Sequence, residues 1–288
     1  MRTYVSAVSD SRRWEHFTHR PGDIFVCTPP KCGTTWMQTI VHSLLWPAGD
    51  SPGAVMFLAP WLDARFDPIE AIVERIDGQD HRRSLKTHTP ADGIPWFDDA
   101  RYIYVARDGR DAFMSMCNHA ATFRRDVRAE LNEVAAREGV PLMPDWDGDP
   151  HAFFAGWLER AGFFDHVASY WARREQPNLL LVHFNDMKAD LEGEMRRVAS
   201  FLDIDIADDQ WPAVVERCTF ERMRERDGEI APFERRFEGG AKSFLFKGTN
   251  GRWRDVLTDA ELDAYTERAD AALPPDATTW LEQGRLAR

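Results

Sequence analysis

The chain has 288 residues, 43% hydrophobic and 29% charged, with 18 glycines and 17 prolines. This is a globular composition with enough chain for a large core, which excludes a collagen-like or disordered polymer. Lys and Arg number 36 against 48 Asp and Glu, a net charge of −12. That excludes a generic nucleic-acid or anionic-membrane binder, so any polyanion has to be held by a local basic pocket.

Asp23–Pro30 reads as a short buried strand running into a loop. Gly33–Trp46 reads as a helix, because Trp36, Met37, Ile40, Val41, Leu44 and Leu45 recur at three and four residues. A short strand is predicted to end near Lys86–His88, stopped by Pro90. Tyr102–Ala106 is a further strand, followed by a polar turn and a helix from about Asp111. Asn178–Met187 is predicted as a strand and Leu191–Phe201 as a helix. Strands alternating with helices predict an α/β fold, a central parallel sheet flanked by helices. With no internal repeat and no clean linker, one domain over 1–288 is expected. The less regular segments 121–150 and 227–250 are expected to cover a site as lids.

Cys27, Cys32, Cys117 and Cys218 lack CxxC spacing, so neither a zinc site nor a disulfide framework is expected. No uncharged run reaches membrane-spanning length. The polar start, with Asp10 and Glu15, does not read as a signal peptide. A cytoplasmic protein without membrane insertion is expected.

Three segments carry chemistry. Thr28–Trp36 lies between strand and helix, where free backbone N–H groups and the helix dipole suit a phosphate. Gly33 frees the backbone, Lys31 reaches an oxygen, and Thr34 and Thr35 offer hydroxyls. The lysine precedes the glycine, so the loop is P-loop-like without being a Walker A loop; an ordinary helix cap is the plainer alternative. Arg107 ends a strand and Ser115 follows in the next helix, a pair suited to a second phosphate. A local ion-pair net among Arg107, Asp108, Arg110 and Asp111 is the competing reading. His88, beside Lys86, is one of nine histidines and a candidate general base, or else a structural histidine.

Taken together, the chain resembles the cytosolic-type sulfotransferases that use 3'-phosphoadenosine 5'-phosphosulfate (PAPS). Their Tyr-Pro-Lys-Ser-Gly-Thr-Thr-Trp loop matches Pro29 to Trp36. Lys-Thr-His-x-Pro matches Lys86 to Pro90, Arg-x-x-x-Asp-x-x-x-Ser matches Arg107, Asp111 and Ser115, and Lys-Gly-x-x-Gly-x-Trp matches Lys247, Gly248, Gly251 and Trp253. The four motifs keep the family order over residues 29–253.

The resemblance implies that His88 is the catalytic base, Lys31 the lysine at the leaving-group oxygen, and Lys86 its companion. It implies a 5'-phosphate cradle of Gly33, Thr34 and Thr35, with Lys31 and Cys32 of the same loop also at the donor. Trp36 and Phe220 are implied to stack on the adenine. Arg107, Ser115, Lys247 and Gly248 are implied to clamp the 3'-phosphate, with Phe184 and Phe246 also at the nucleotide. The departures are Pro29 for tyrosine, Cys32 for serine, Phe184 where a tyrosine often stands, and Phe246 where an arginine usually stands. They are expected to weaken donor affinity, with Arg252 and Arg254 as nearby substitutes for the missing arginine. Asp259 and Asp263 interrupt the family's dimerisation motif, which leaves the oligomeric state open.

The expected reaction transfers a sulfuryl group from PAPS to a hydroxyl or amine of a small acceptor, releasing 3'-phosphoadenosine 5'-phosphate (PAP). No metal is expected. The alternatives are a small-molecule or nucleoside kinase, which would require Mg²⁺, or a non-catalytic nucleotide-binding protein. Phe57, Trp61, Phe66, Trp146, Phe153, Phe154 and Trp157 are candidate walls for an aromatic or apolar acceptor.

Overall fold

The computed structural model describes residues 1–160 and 162–286. Four strands, β1 (Ile24–Cys27), β2 (Ser84–Thr87), β3 (Arg101–Ala106) and β4 (Leu179–His183), form one parallel sheet in the order β2-β1-β3-β4. Every residue of β1 is buried, as a central strand covered on both faces requires.

The alternating side chains of the strands feed two cores. Phe25, Leu85, Tyr102 and Tyr104 face one side and pack with residues of helices Gly109–Thr122, Phe163–Trp171, Asp259–Ala272 and Pro275–Gln283. Ile24, Val26, Ile103, Val105 and Val182 face the other, against helices Thr34–Leu45, Leu191–Phe201 and Trp211–Arg217. The two-residue period of a strand is what divides these sets.

Register sets the position of the site. Cys27 lies opposite Thr87 on one side and Tyr104 on the other, and Ala106 lies opposite His183. The carboxyl ends of all four strands therefore share one edge. Thr28, His88, Arg107 and Phe184 are the next residues of the chain at that edge, where open α/β sheets bind ligands.

Two expected boundaries shift. The strand predicted over Asn178–Met187 ends at His183, and Phe184–Ala189 is helical. The His183 ring accepts a hydrogen bond from the Asn185 N–H at 3.2 Å, so a local cap overrides the apolar run. The helix expected from about Asp111 begins at Gly109, capped by the Asp108 carboxylate.

The segments 121–150 and 227–250 contain two helices (Arg125–Glu138 and Gly240–Phe244) and short turns, and they pack on each other. Phe123 pairs with Phe237, and the Arg124 N–H donates to the Arg236 carbonyl at 2.9 Å. A third apolar cluster, including Phe123, Leu131, Ile230, Phe233 and Phe237, holds them together.

Candidate active site

A cavity of about 1400 Å³ opens at the carboxyl edge of the sheet. It exceeds the usual volume of a single small-ligand pocket, roughly 300–1,000 Å³, and has room for two ligands side by side. Lys31, Lys86, His88, Arg107, Ser115 and Lys247 all line it. Segments far apart in sequence are thus brought to one space.

The loop after β1 is shaped by two left-handed residues, Lys31 (φ 70°) and Gly33 (φ 100°). Gly33 caps helix Thr34–Leu45, and no side chain blocks the helix's first N–H groups. A Cβ on Gly33 would lie 2.9 Å from the Phe184 ring, so glycine is required by conformation and by space. Cys32 differs from the expectation of a phosphate-facing side chain. Its Sγ is buried in the core, 3.9 Å from the Pro30 carbonyl, and what it offers the loop is backbone. The serine-to-cysteine departure therefore removes no hydroxyl from the cavity.

Thr34 Oγ1 lies 2.6 Å from Thr28 Oγ1. The next link is to the histidine. His88 Nδ1 lies 2.8 Å from the Thr28 carbonyl, which can only accept, so Nδ1 carries the proton. Nε2 is left with a free lone pair, the state a general base needs. Burial first, and then the Lys86 charge, hold the imidazole well below its ordinary pKa, so it is neutral near pH 7. The Trp61 ring meets His88 edge-on, with centroids 4.8 Å apart.

Lys86 Nζ lies over the same Trp61 ring at 4.5 Å. Its pKa is pushed down to about 7 by burial, then by the Arg236 and Lys31 charges. Lys31 is pushed down to about 7 by burial, then by Arg107. Its Nζ lies 4.3 Å from the Phe244 ring centre and 3.4 Å from His119 Nδ1.

The competing ion-pair reading of Arg107 does not hold. Arg110 pairs with Asp108 at 2.7 Å. Arg107 instead donates to Asn250 Oδ1 at 2.6 Å and to the Thr249 carbonyl at 3.1 Å, with its guanidinium 4.2 Å from the Phe184 ring centre. Asp111 accepts the Gly251 N–H at 2.7 Å. The third and fourth motifs are thereby tied together, and the late loop closes over the arginine.

Trp36 donates its indole N–H to the Cys218 carbonyl at 2.7 Å and meets Phe184 edge-on. Phe184 is buried and serves as a platform under Gly33, Trp36 and Arg107. Phe220 lies under Gly248, where a Cβ would come within 3.1 Å of its ring. Phe246 is exposed, flanked by Lys247 and Arg252. Arg252 lines the cavity and its buried Nε has no hydrogen-bond partner among the described residues. Arg254 turns away onto Trp253.

Among the aromatic candidates, Phe57, Trp61, Phe66, Phe153 and Trp157 line the cavity. Phe154 does not, being buried in the core, and Trp146 packs on Phe153.

Several site residues carry no local signal in the sequence. Asp63 is fully buried and accepts from Thr87 Oγ1 at 2.7 Å and Thr89 Oγ1 at 2.5 Å, gripping both sides of His88. His119, Asn185 and Asn250 are the others. Asn250 donates to Asn185 Oδ1 at 2.5 Å. Each of these three is found only through a contact more than 60 residues away.

Comparison with known proteins agrees with this geometry. The family described as "Sulfotransferase domain" matches residues 21–274. A glycolipid sulfotransferase of Mycobacterium tuberculosis is 34% identical, over 98% of this chain and 94% of that protein. Mouse sulfotransferase 1B1 is 30% identical, over 88% of this chain and 83% of that protein. In fold, a mouse sulfotransferase solved with PAP superposes with a TM-score of 0.72 at 19% identity, covering 94% of this chain and 90% of the other. Retinol dehydratase, solved with retinol and PAP, gives 0.69 at 21% identity, covering 93% and 87%. The chain belongs to the sulfotransferase family.

Proposed function

We propose that this sulfotransferase takes its sulfuryl group from PAPS and passes it to a hydroxyl or amine of a small, largely apolar acceptor, with His88 as the base. One observation carries the reading. The lone pair of a neutral His88, two lysines with depressed pKa values, and the Arg107 clamp all face one cavity large enough for donor and acceptor together.

The residues fit the donor. The first N–H groups of the helix after Gly33 have no side-chain cap, and the unpartnered Nε of Arg252 lies beside Lys247 and Phe246. Lys31, Thr34, Thr35 and the loop N–H groups would hold the 5'-phosphate end. Arg107, Ser115, Lys247, Gly248 and Arg252 would hold the 3'-phosphate, and Trp36 and Phe220 the adenine. Bound PAPS supplies an activated sulfuryl group. His88 Nε2 takes the acceptor proton, while the Thr28 carbonyl keeps the ring oriented through Nδ1. Lys31, once an anion restores its charge, offsets negative charge at the leaving oxygen without reorganisation. Lys86 does the same on the acceptor side. We further propose one domain over the whole chain, with 121–150 and 227–250 as lids that exclude water. A cytoplasmic setting suits its four buried free thiols. The kinase alternative is not favoured, because the chain's family is that of sulfotransferases.

The test is to incubate the chain with PAPS and a panel of phenols and alcohols in EDTA, and to measure sulfated product and PAP. Metal-independent product formation is expected. Failure to bind PAP by calorimetry, or Mg²⁺-dependent phosphorylation from ATP, would overturn the reading.

A further inference from the structure

The chain carries a net charge of −12, yet its cavity has the opposite sign: twelve arginines and lysines line it against four carboxylates. The proposed donor accounts for those near the Gly33 loop and Arg107. It leaves Arg236 unexplained.

Arg236 lies on the other side of His88. A ladder of rings leads to it: His88 meets Trp61 at 4.8 Å, Trp61 meets Phe66 at 5.8 Å, and the Arg236 guanidinium lies 3.9 Å from the Phe66 ring centre. Among the described residues its side chain donates no hydrogen bond, and its only ion pair is a loose one, 3.9 Å from half-exposed Asp67. The Arg236 side chain is 37% exposed, so its guanidinium keeps a solvated edge that is free to meet a ligand, and partial burial lowers its pKa. A second cation is linked to it through the backbone. Arg128 lies one helical turn after Arg124, whose backbone N–H donates to the Arg236 carbonyl. Arg128 also lines the cavity. It donates to the Ala120 carbonyl at 2.7 Å and approaches only the exposed Asp145, and its buried Nε has no partner among the described residues.

We propose that Arg236 forms an anion subsite at the far end of the acceptor chamber. The acceptor is then a hydroxylated, flat apolar molecule that also carries a carboxylate, sulfate or phosphate, about two ring widths from the reacting hydroxyl. This rests on the reading that His88 marks the reacting end. Its hydroxyl meets His88 Nε2, its body lies along Trp61 and Phe66, and its anion meets the guanidinium fork, whose geometry matches such groups.

The test uses the full chain saturated with PAP and two probes of equal shape, 4'-hydroxybiphenyl-4-carboxylate and the neutral 4'-hydroxybiphenyl-4-carboxamide. Calorimetry is expected to show the carboxylate binding about 10-fold tighter, the effect of one charge-assisted hydrogen bond. Arg236→Gln is expected to bring the two affinities together while PAP binding persists. Arg236→Lys should keep part of the preference, and Asp67→Asn should widen it by removing the competing charge. Equal affinities in the wild type, a preference untouched by Arg236→Gln, or no binding of either probe overturns the subsite and leaves the donor reading standing. If the chain does not bind PAP, the donor reading fails. The same titrations on the nucleotide-free chain then decide the subsite alone, because a charge preference that depends on Arg236 needs no donor.

Discussion

His88 Nδ1 lies 2.8 Å from the Thr28 carbonyl, so the first residue after β1 fixes the tautomer of the first residue after β2. The two strands are adjacent and in register, with Cys27 opposite Thr87, and the hydrogen bond continues that pairing past the sheet edge. A base is thus oriented by backbone, which no side-chain substitution at Thr28 removes.

His88→Asn is expected to keep the fold and PAP affinity and to lower turnover by roughly 100-fold or more, the usual range for a lost general base. The deficit should be smaller for an acidic phenol than for an alcohol of similar shape. Turnover and PAP binding on the same folded preparation check this. Wild-type turnover would remove His88 from the mechanism.

The pH dependence follows from three depressed pKa values. His88 must be neutral to accept a proton, and its pKa is held well below 6.5, so kcat/KM should not fall as pH drops from 8 through 6.5. Lys31 and Lys86 must be charged to stabilise anions, and both lose their protons near pH 7 in the free protein. The rate should therefore decline on the alkaline side, above about pH 7. An acid limb near 6.5 would place His88 in a wetter setting than the structure shows.

PAP binding should take up a proton at pH 8. Lys31 is mostly neutral there in the free protein, and a phosphate beside it restores its charge. Calorimetry in two buffers of different ionisation enthalpy measures the uptake, which Lys31→Gln should reduce. The same depression bears on stability, because folding holds the lysine pKa below its unfolded value. The resulting penalty is absent well above pH 10.5 and grows as pH falls to about 7. Lys31→Met is accordingly expected to raise the melting temperature at pH 7 while weakening PAP binding.

Arg107→Ala and Arg252→Ala should each weaken PAP binding far more than adenosine 5'-phosphate binding, because the 3'-phosphate is the group they would contact. Each lost charge-assisted hydrogen bond is worth roughly 1.5–3 kcal/mol. Arg254→Ala, whose side chain lies over Trp253, should affect the two nucleotides alike. Equal losses for both nucleotides in Arg252→Ala would remove that residue from the clamp.

Gly33→Ala should destabilise the fold and abolish PAP binding. The left-handed backbone alone costs a non-glycine residue about 1–2 kcal/mol, and the added methyl would lie 2.9 Å from Phe184. Adding Phe184→Leu should recover part of the stability if that contact contributes. Thermal melts of the single and double variants decide it.

The sequence by itself determined the alternation of strands and helices, the parallel sheet, and the four segments that reach its carboxyl edge. These are local properties: apolar period, turn chemistry, and the position of Lys31, His88 and Arg107 just past a strand. Helix Leu191–Phe201 was legible to the residue for the same reason. Tertiary structure decided the rest. It turned Cys32 into the core, made Phe184 a platform beneath Gly33, and chose Arg252 over Arg254 for the cavity. It gave Arg107 its partner Asn250, 143 residues away, and gave Thr87 and Thr89 their buried acceptor Asp63. Such pairings depend on how the two faces of the sheet are packed and how the late loop closes over its edge. Neither leaves a periodic trace along the chain, because contacts across space are set by the whole core and not by the spacing of neighbours.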